Sequence, residues 1–310
     1  MAITKSDIPA LLLPGLRAEF HQAYRSEVDL GLADRLATVI NTTLPMQRYA
    51  WLGAPPPMRE FIDERQPGGL SSYATAIEDK VFEASIGVDR KALEDDQLDL
   101  IRIRIRDLAF RVATHRTQLV IEALLTGNTQ LGSDGVAFFG SAHPQGAGTL
   151  SNISADDLAE ASLTAAINAM MILPDDVGVP LGILPDTLVV GPKNQWLASE
   201  LVQSPVVRYA GNAVDTAAST PYVNALYGKL NVVVTPFIAG TNEDRWYLLD
   251  TKRPMRGVIL QQRSDVPVEF TAMEGSDSES GWMRDRFYYG VRGRYNVGYG
   301  LWQTAFGGGY

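Results

Sequence analysis

The chain has 310 residues, 45% hydrophobic and 20% charged, a balance that excludes wholesale disorder and allows one large or two ordinary domains. It holds no cysteine, which excludes disulfides and thiolate metal sites, and its net charge of −9 argues against a protein whose main work is gripping nucleic acid. No apolar run approaches the length of a membrane span, and the leucines before Pro14 are too few for a signal peptide, so assembly in a cytosol is the simple inference.

Residues 1–60 read as an N-terminal arm with short helices: 16–26 have helical spacing, and 30–44 form a second candidate. The run Gly53-Ala54-Pro55-Pro56-Pro57 then forces a stiff, extended connection. From residue 61 to 90 the pattern turns to short extended pieces. Gly68 and Gly69 mark a turn, residues 80–88 alternate like a strand, and 73–77 are the expected hairpin partner. An isolated hairpin is marginal in water, so this one is expected to rest on something else, such as another subunit.

Residues 94–127 organise the chain. No glycine or proline lies between Gly87 and Gly127. Glu94, Asp95 and Asp96 suit a helix N-terminus, and Gly127 offers a stop. A helix from Asp95 to Thr126 would run roughly 48 Å. On a 100° step, Ile101, Ile105, Leu108, Val112 and Leu119 form one apolar stripe, while Ile103, Phe110 and Ile121 form a second on nearly the opposite side. Arginines separate them: Arg102, Arg106 and Arg116 on one flank, Arg104 and Arg111 on the other. The alternation Ile101 to Arg106 also fits a strand, but the helical pattern continues for turns on both sides. A helix apolar on two sides belongs between layers. Acids on the same helix, Asp95, Asp96, Asp99, Asp107 and Glu122, favour ion pairs over DNA phosphates as partners of its arginines.

After the helix, Asp134-Gly135 suggests a tight turn and Phe138-Phe139 a short buried strand. Residues 151–250 read as an α/β unit. Ser154 is the expected cap of a helix running to Met171; Leu188-Val189-Val190 is a buried strand; Pro192 opens a helix through Leu201. Residues 211–224 are expected to loop, and 230–235 and 245–249 to be strands. The last sixty residues read as β: 258–262, 266–273, an acidic tip at 274–280, and a long alternation at 284–302. The fold class is α+β.

The inventory of chemistry contains no catalytic, cofactor or metal site. His21, His115 and His143 are far apart and fit no zinc spacing. Ser141 near His143 lacks a nucleophile elbow, and no phosphate-cradling glycine motif is present. The acidic tip does not match an EF-hand.

The order of elements resembles the Hong Kong 97-type fold of tailed-phage capsid proteins, and the chain resembles the Mu-like prophage major head subunit family, gpT. The resemblance runs along nearly the whole chain. Leu13-Pro14-Gly15-Leu16 with Phe20, Trp51-Leu52-Gly53, Pro57-Met58-Arg59-Glu60 and Phe82-Glu83-Ala84 carry its first part. Glu94-Asp95-Asp96, Asp134-Gly135, Phe138-Phe139, His143-Pro144 and Leu188-Val189-Val190-Gly191-Pro192 carry the middle, and the run from Tyr289-Gly290-Val291 to Trp302-Gln303 the end.

The resemblance implies a non-enzymatic shell protein. Residues 1–66 would be the N-terminal arm and start of the peripheral P-domain, 67–92 the E-loop that reaches across a neighbour, and 93–150 the P-domain with its spine helix. Residues 151–250 would be the axial A-domain and 251–310 the returning P-domain strands. The expected assembly contacts are Val81, Phe82, Ile86 and Val88 from the hairpin, with Arg102, Ile103, Arg106, Phe110, Arg111 and Arg116 from the helix. The implied partners are further copies in pentamers and hexamers, a separate scaffolding protein, a portal, a head maturation protease, and packaged double-stranded DNA in weak non-specific contact. Assembly would take place in the host bacterial cytoplasm and the product would be the virion capsid. Lys80, Lys91 and Asn296 read as surface residues rather than cross-linking groups. The alternatives are an encapsulin-like shell around protein cargo and, further off, a soluble α/β enzyme or ligand-binding protein.

Overall fold

The computed structural model describes residues 8–52, 72–89, 91, 98–145, 148–175, 178–207, 222–264, 268–273 and 283–310. The proline run at 53–57, the acids at 94–96, most of the expected loop (211–221) and the acidic tip at 274–280 lie outside these residues. The chain opens with helix α1 (Ile8–Leu30), the single turn α2 (Ala33–Leu36) and strands β1 (Thr38–Thr42), β2 (Met46–Leu52), β3 (Ser72–Glu78) and β4 (Lys80–Asp89). The spine helix α3 (Leu98–Thr126) follows, then the short strands β5 (His143–Gln145) and β6 (Gly148–Leu150) and helix α4 (Glu160–Met171). Next come β7 (Thr187–Val190), α5 (Gln195–Gln203), β8 (Val206–Val207), β9 (Tyr222–Val223), β10 (Asn231–Val234) and β11 (Trp246–Leu249). The end is all β: β12 (Val258–Arg263), β13 (Val268–Met273), β14 (Arg286–Tyr299) and β15 (Ala305–Gly308).

Two sheets divide the molecule, and α3 spans both. The first is built on β14, whose alternating side chains give it one buried face. One edge of β14 pairs antiparallel with β12 and β13; the other pairs with all of β4, from Arg286↔Asp89 to Tyr295↔Lys80. β1 adds in parallel to β12. Residues 38–42 are therefore a strand where helical spacing pointed to a helix over 30–44. Thr38, Val39, Ile40 and Thr42 are β-branched, and the parallel partner is more than two hundred residues away. The second sheet has the order β10-β7-β11-β15, with β7 and β10 parallel.

The expected hairpin is paired differently. β3 pairs with β2, from Met46↔Glu78 to Leu52↔Ser72, while β4 joins β14. Only Asp79 separates β3 from β4, too little for a two-residue hairpin turn. Its N–H donates to Pro45 O, and its carboxylate meets Arg294 at 2.7 Å, so the chain runs on instead of reversing. The β2–β3 ribbon docks at its base through Tyr49 and Ile77 against Ile259.

Three smaller expectations are also corrected. The helix after Ser154 begins at Glu160; the Ser154 hydroxyl donates to Asp156 Oδ2 at 2.6 Å in a local turn, and Ser162 Oγ accepts the Ala159 N–H that opens α4. Phe138 and Phe139 are buried in a turn rather than a strand, their N–H groups donating to Gln130 O and Gly127 O. Gly127 is needed for that return, since a Cβ there would stand 2.6 Å from the Phe139 ring. The last strand leaves the first sheet: β15 pairs with β11 in the α/β unit.

Two main cores follow from this layout. Leu16 and Phe20 of α1, Ile101, Ile105, Leu108, Ala109 and Val112 of α3, and the inner faces of β13 and β14 form one. The last turns of α3 (Val120, Ile121, Leu124) enter the other, with Phe138, Phe139 and both faces of the second sheet.

Candidate assembly surface

The front half of α3 is covered on one side only. Ile101, Ile105, Leu108 and Val112 point into the first core, but Ile103 and Phe110, about 180° around the helix, keep 55% and 50% of their surface. Ile121, at the same azimuth as Ile103, is fully buried because the α/β unit covers the rear half. The second apolar stripe is thus bare at the front and covered at the back.

Each flank of the bare face has a defined neighbour. On the α1 side, Arg106 reaches Glu19 at 2.5 Å and Arg102 lies 3.7 Å from the same carboxylate and 3.5 Å from Asp99. On the β4 side, Arg111 is 3.6 Å from Asp107, and Arg104 is exposed. The arginine ends of these pairs are solvated although Glu19 is only 18% exposed, and the pairs fix the arginines' positions more than they stabilise the fold. Arg116 is placed otherwise than expected: only 60° from Ile101 on the wheel, it is 4% exposed and donates to Asp34 at 3.0 Å and Gln262 at 3.2 Å. Its charge is used inside the chain, and it drops out of the candidate contact set.

Strand β4 borders the other side. Phe82, Ile86 and Val88 share its inner face, half-buried against the cores, whereas Val81 projects outward with Glu83, Ser85 and Asp89. Among the described residues no strand pairs with its free edge, a row of backbone donors and acceptors ten residues long. Between β4 and α3 runs a half-open, mostly apolar groove of about 200 Å³, lined by Phe82, Ala84, Val112, Val291 and Gly293, with Glu83 and Arg111 among its polar groups. Its floor is fixed by aromatic packing. His115 Nδ1 is 2.9 Å from Tyr295 OH, and Phe82 lies edge-on to the imidazole and stacked on the phenol. Burial lowers the His115 pKa, against the pull of Glu122, and raises that of Tyr295, so both rings are neutral near pH 7.

A further set of exposed apolar side chains lies on the α/β unit and is absent from the expected contacts. Trp196, on the first turn of α5, is 77% exposed; Ile172, Val223 and Tyr227 also face solvent. The signal was present for Trp196, because a wheel of α5 puts Ala198, Leu201 and Val202 together and the tryptophan off their stripe. Among the described residues no cluster of three or more histidine or acidic side chains suits a metal ion, and no helix is long and apolar enough to cross a membrane.

A family model described as Mu-like prophage major head subunit gpT matches residues 10–157, 149–238 and 237–309. The Mu-like prophage FluMu major head subunit of Haemophilus influenzae is 26% identical over 271 residues, 87% of this chain and 63% of that protein. The major capsid protein of Escherichia phage Mu is 23% identical over 311 residues, covering 98% of this chain and 74% of the relative. This chain thus spans less than two thirds of the Haemophilus relative's length. Among solved structures, a chain of the bacteriophage JBD30 procapsid superposes with a TM-score of 0.54 at 25% identity, over 96% of this chain and 74% of that one. The fold is that of phage capsid proteins, and the α+β class follows from it.

Proposed function

Because the chain belongs to the Mu-like prophage major head subunit gpT family, we infer that it is a structural protein, not an enzyme, that assembles in many copies into the head shell of a Mu-like phage or prophage. The observation that carries the assembly reading is the half-covered spine helix: an apolar stripe buried at the rear of α3 and bare at Ile103 and Phe110. A bare stripe between arginine rows suits a neighbouring copy better than solvent. Closed symmetry makes many modest contacts cooperative.

In this reading the β2–β3 ribbon is the arm that crosses a neighbour. Ile103, Phe110, Arg102, Arg106, Arg111 and the outer side of β4 receive contacts, Val81 among them. Phe82, Ile86 and Val88 act from beneath by holding β4 on the spine. Residues 151–250, joined by β15, form the axial unit that gathers pentamers and hexamers. The partners are a separate scaffolding protein, a portal, a maturation protease and double-stranded DNA held by weak contacts, and the product is the virion capsid. Family membership favours this over a shell for protein cargo.

The test is expression with and without a candidate scaffold, followed by negative-stain microscopy. Shells, tubes or capsomers are expected. A persistent monomer that binds a stoichiometric small ligand would overturn the reading, and particles filled with enzyme and free of DNA would transfer it to the cargo shell.

A further inference from the structure

The single turn α2 and the α/β unit leave a cleft between them. Asp34 and Arg35 of α2 line one side, and Asn231 lines another from β10, the edge strand of the second sheet. Thr187, Thr251 and Arg256 complete its polar wall. The cleft is half-open and encloses about 310 Å³, room for roughly ten waters.

Four charged groups lie in or beside it, Asp34, Arg35, Asp186 and Arg256. The two carboxylates have donors from within the chain. Asp34 accepts from Arg116 at 3.0 Å. Asp186, which is buried, accepts the Thr251 N–H at 2.9 Å and lies 3.0 and 3.2 Å from the Thr251 and Thr187 hydroxyls. The two guanidiniums, by contrast, have no bonded carboxylate among the described residues. Arg256 is half-buried; its Nε–H donates to Thr251 O at 2.9 Å, and its Nη1 donates to Asp34 O and Ala37 O at 2.7 Å each. Those carbonyls fix the guanidinium and leave Nη2 without a partner among the described residues. Arg35 is exposed on the same cleft.

Carbonyls satisfy the hydrogen bonds of Arg256 but not its charge. Burial lowers the Arg256 pKa, and the attraction of Asp186 and Asp34 does not restore it. Holding a cation partly out of water with no bonded counter-charge is costly. Acids are not scarce, since the chain has 36 against 27 lysines and arginines. The cleft keeps its two guanidiniums free of them.

We infer that the cleft between α2 and β10 is a binding site for an oxyanion, a phosphate or a carboxylate, held by Nη2 of Arg256 and the guanidinium of Arg35. A guanidinium fork matches two oxygens of such a group, and Arg256 is already set in place by its carbonyls. The Asn231 amide on the β10 side adds a neutral donor. The volume is at the small end for ligand sites and suits a group of a few heavy atoms. Two sources carry this chemistry: a free anion such as inorganic phosphate, and an acidic side chain of a second copy, the latter resting on the shell reading above.

The experiment titrates the unassembled full chain with inorganic phosphate and follows arginine side-chain resonances in nitrogen-15 spectra, with sodium chloride at equal ionic strength as the control. Phosphate alone should give saturable shifts, at about millimolar concentration. Arg35→Gln should weaken binding about two- to fivefold, and Asn231→Asp, which adds a carboxylate without removing a guanidinium, should weaken it at least as much. Both positions are exposed, so the loss is read in a folded subunit. Assembly separates the sources. If a neighbour's carboxylate is the occupant, phosphate inhibits wild-type assembly, and Arg35→Glu and Asn231→Asp lower the yield of shells; if a free anion is, assembly is indifferent to all three. No saturable phosphate binding, or binding unchanged in both variants, would overturn the inference. A wild type that never assembles would count against the shell reading and leave the titration to judge the cleft.

Discussion

The double substitution Ile103→Asp with Phe110→Asp separates folding from assembly, because both side chains are bare in the single chain. At 55% and 50% exposure they offer about 200 Å² of largely apolar surface between them. Covering it at about 25 cal/mol per Å² is worth about 5 kcal/mol at each copy of the contact. That is a factor of 10³ to 10⁴ in a contact constant, before the cost of burying two carboxylates is added. The same substitutions act on folding only as exposed helix positions do, at about 0.5 kcal/mol each. Urea unfolding of the subunit should therefore shift by about 1 kcal/mol, while sedimentation and negative-stain microscopy show no closed shells. Shells at wild-type yield would refute the contact. A folding loss several times larger would instead mean that α3 packs both faces within one chain.

Three further outcomes are expected. Asp34→Ala leaves the buried Arg116 guanidinium without its carboxylate and with only neutral groups such as Gln262 and Tyr24 beside it, so it should cost about 2–4 kcal/mol in urea unfolding, and Arg116→Met less, since Asp34 can reach water; equal losses would contradict this asymmetry. Gly308→Ala should lower stability by at least about 2 kcal/mol and change the near-ultraviolet tryptophan signal, because a Cβ there would stand 2.1 Å from the buried Trp246 indole; an unchanged melting temperature would argue against that packing. Burial pushes the Tyr49 phenol up to about 12, and the hydroxyl donates to Gln261 Oε1 at 2.8 Å. The folded state keeps a proton that the unfolded chain loses near pH 10, so this contribution is present below pH 10 and lost as the pH rises towards 12. Tyr49→Phe should remove that part of the alkaline slope and cost about 1–3 kcal/mol, read from unfolding and phenolate absorbance.

What was legible in the sequence is what local periodicity encodes. The spine helix, the buried run Leu188-Val189-Val190 and the long alternation of β14 each satisfy a 3.6- or 2-residue rule within their own length. The partners of strands are not encoded that way. Residues 73–77 and 80–88 looked like a hairpin because they are adjacent and both extended, yet β14, two hundred residues on, offers β4 a longer edge. β1 was misread for the same reason, its pairing to β12 being remote. The buried contacts of His143 with Asp134 (2.6 Å), Asn152 (3.0 Å) and the Trp302 ring were invisible because these residues converge only in the folded chain. At the surface, the wheel separated two stripes on α3 but could not say that one structural unit covers the rear of the second.

That asymmetry along α3 limits how copies can meet. A partner that covered the whole length of the second stripe would have to displace the α/β unit from Ile121, opening the larger core. One that reached the front from the α1 side would meet Arg102 and Arg106 already held by Glu19. From the β4 side it finds an exposed Arg104, a half-open apolar groove and an edge of β4 that no described strand occupies, in succession. An extended segment can use all three at once, pairing its backbone with β4 while its apolar side chains enter the groove or cover Phe110. The geometry therefore favours entry of a neighbour's arm across β4. An Arg104→Glu substitution should then weaken assembly with little effect on subunit stability, whereas Arg102→Glu should disturb mainly the packing of α1.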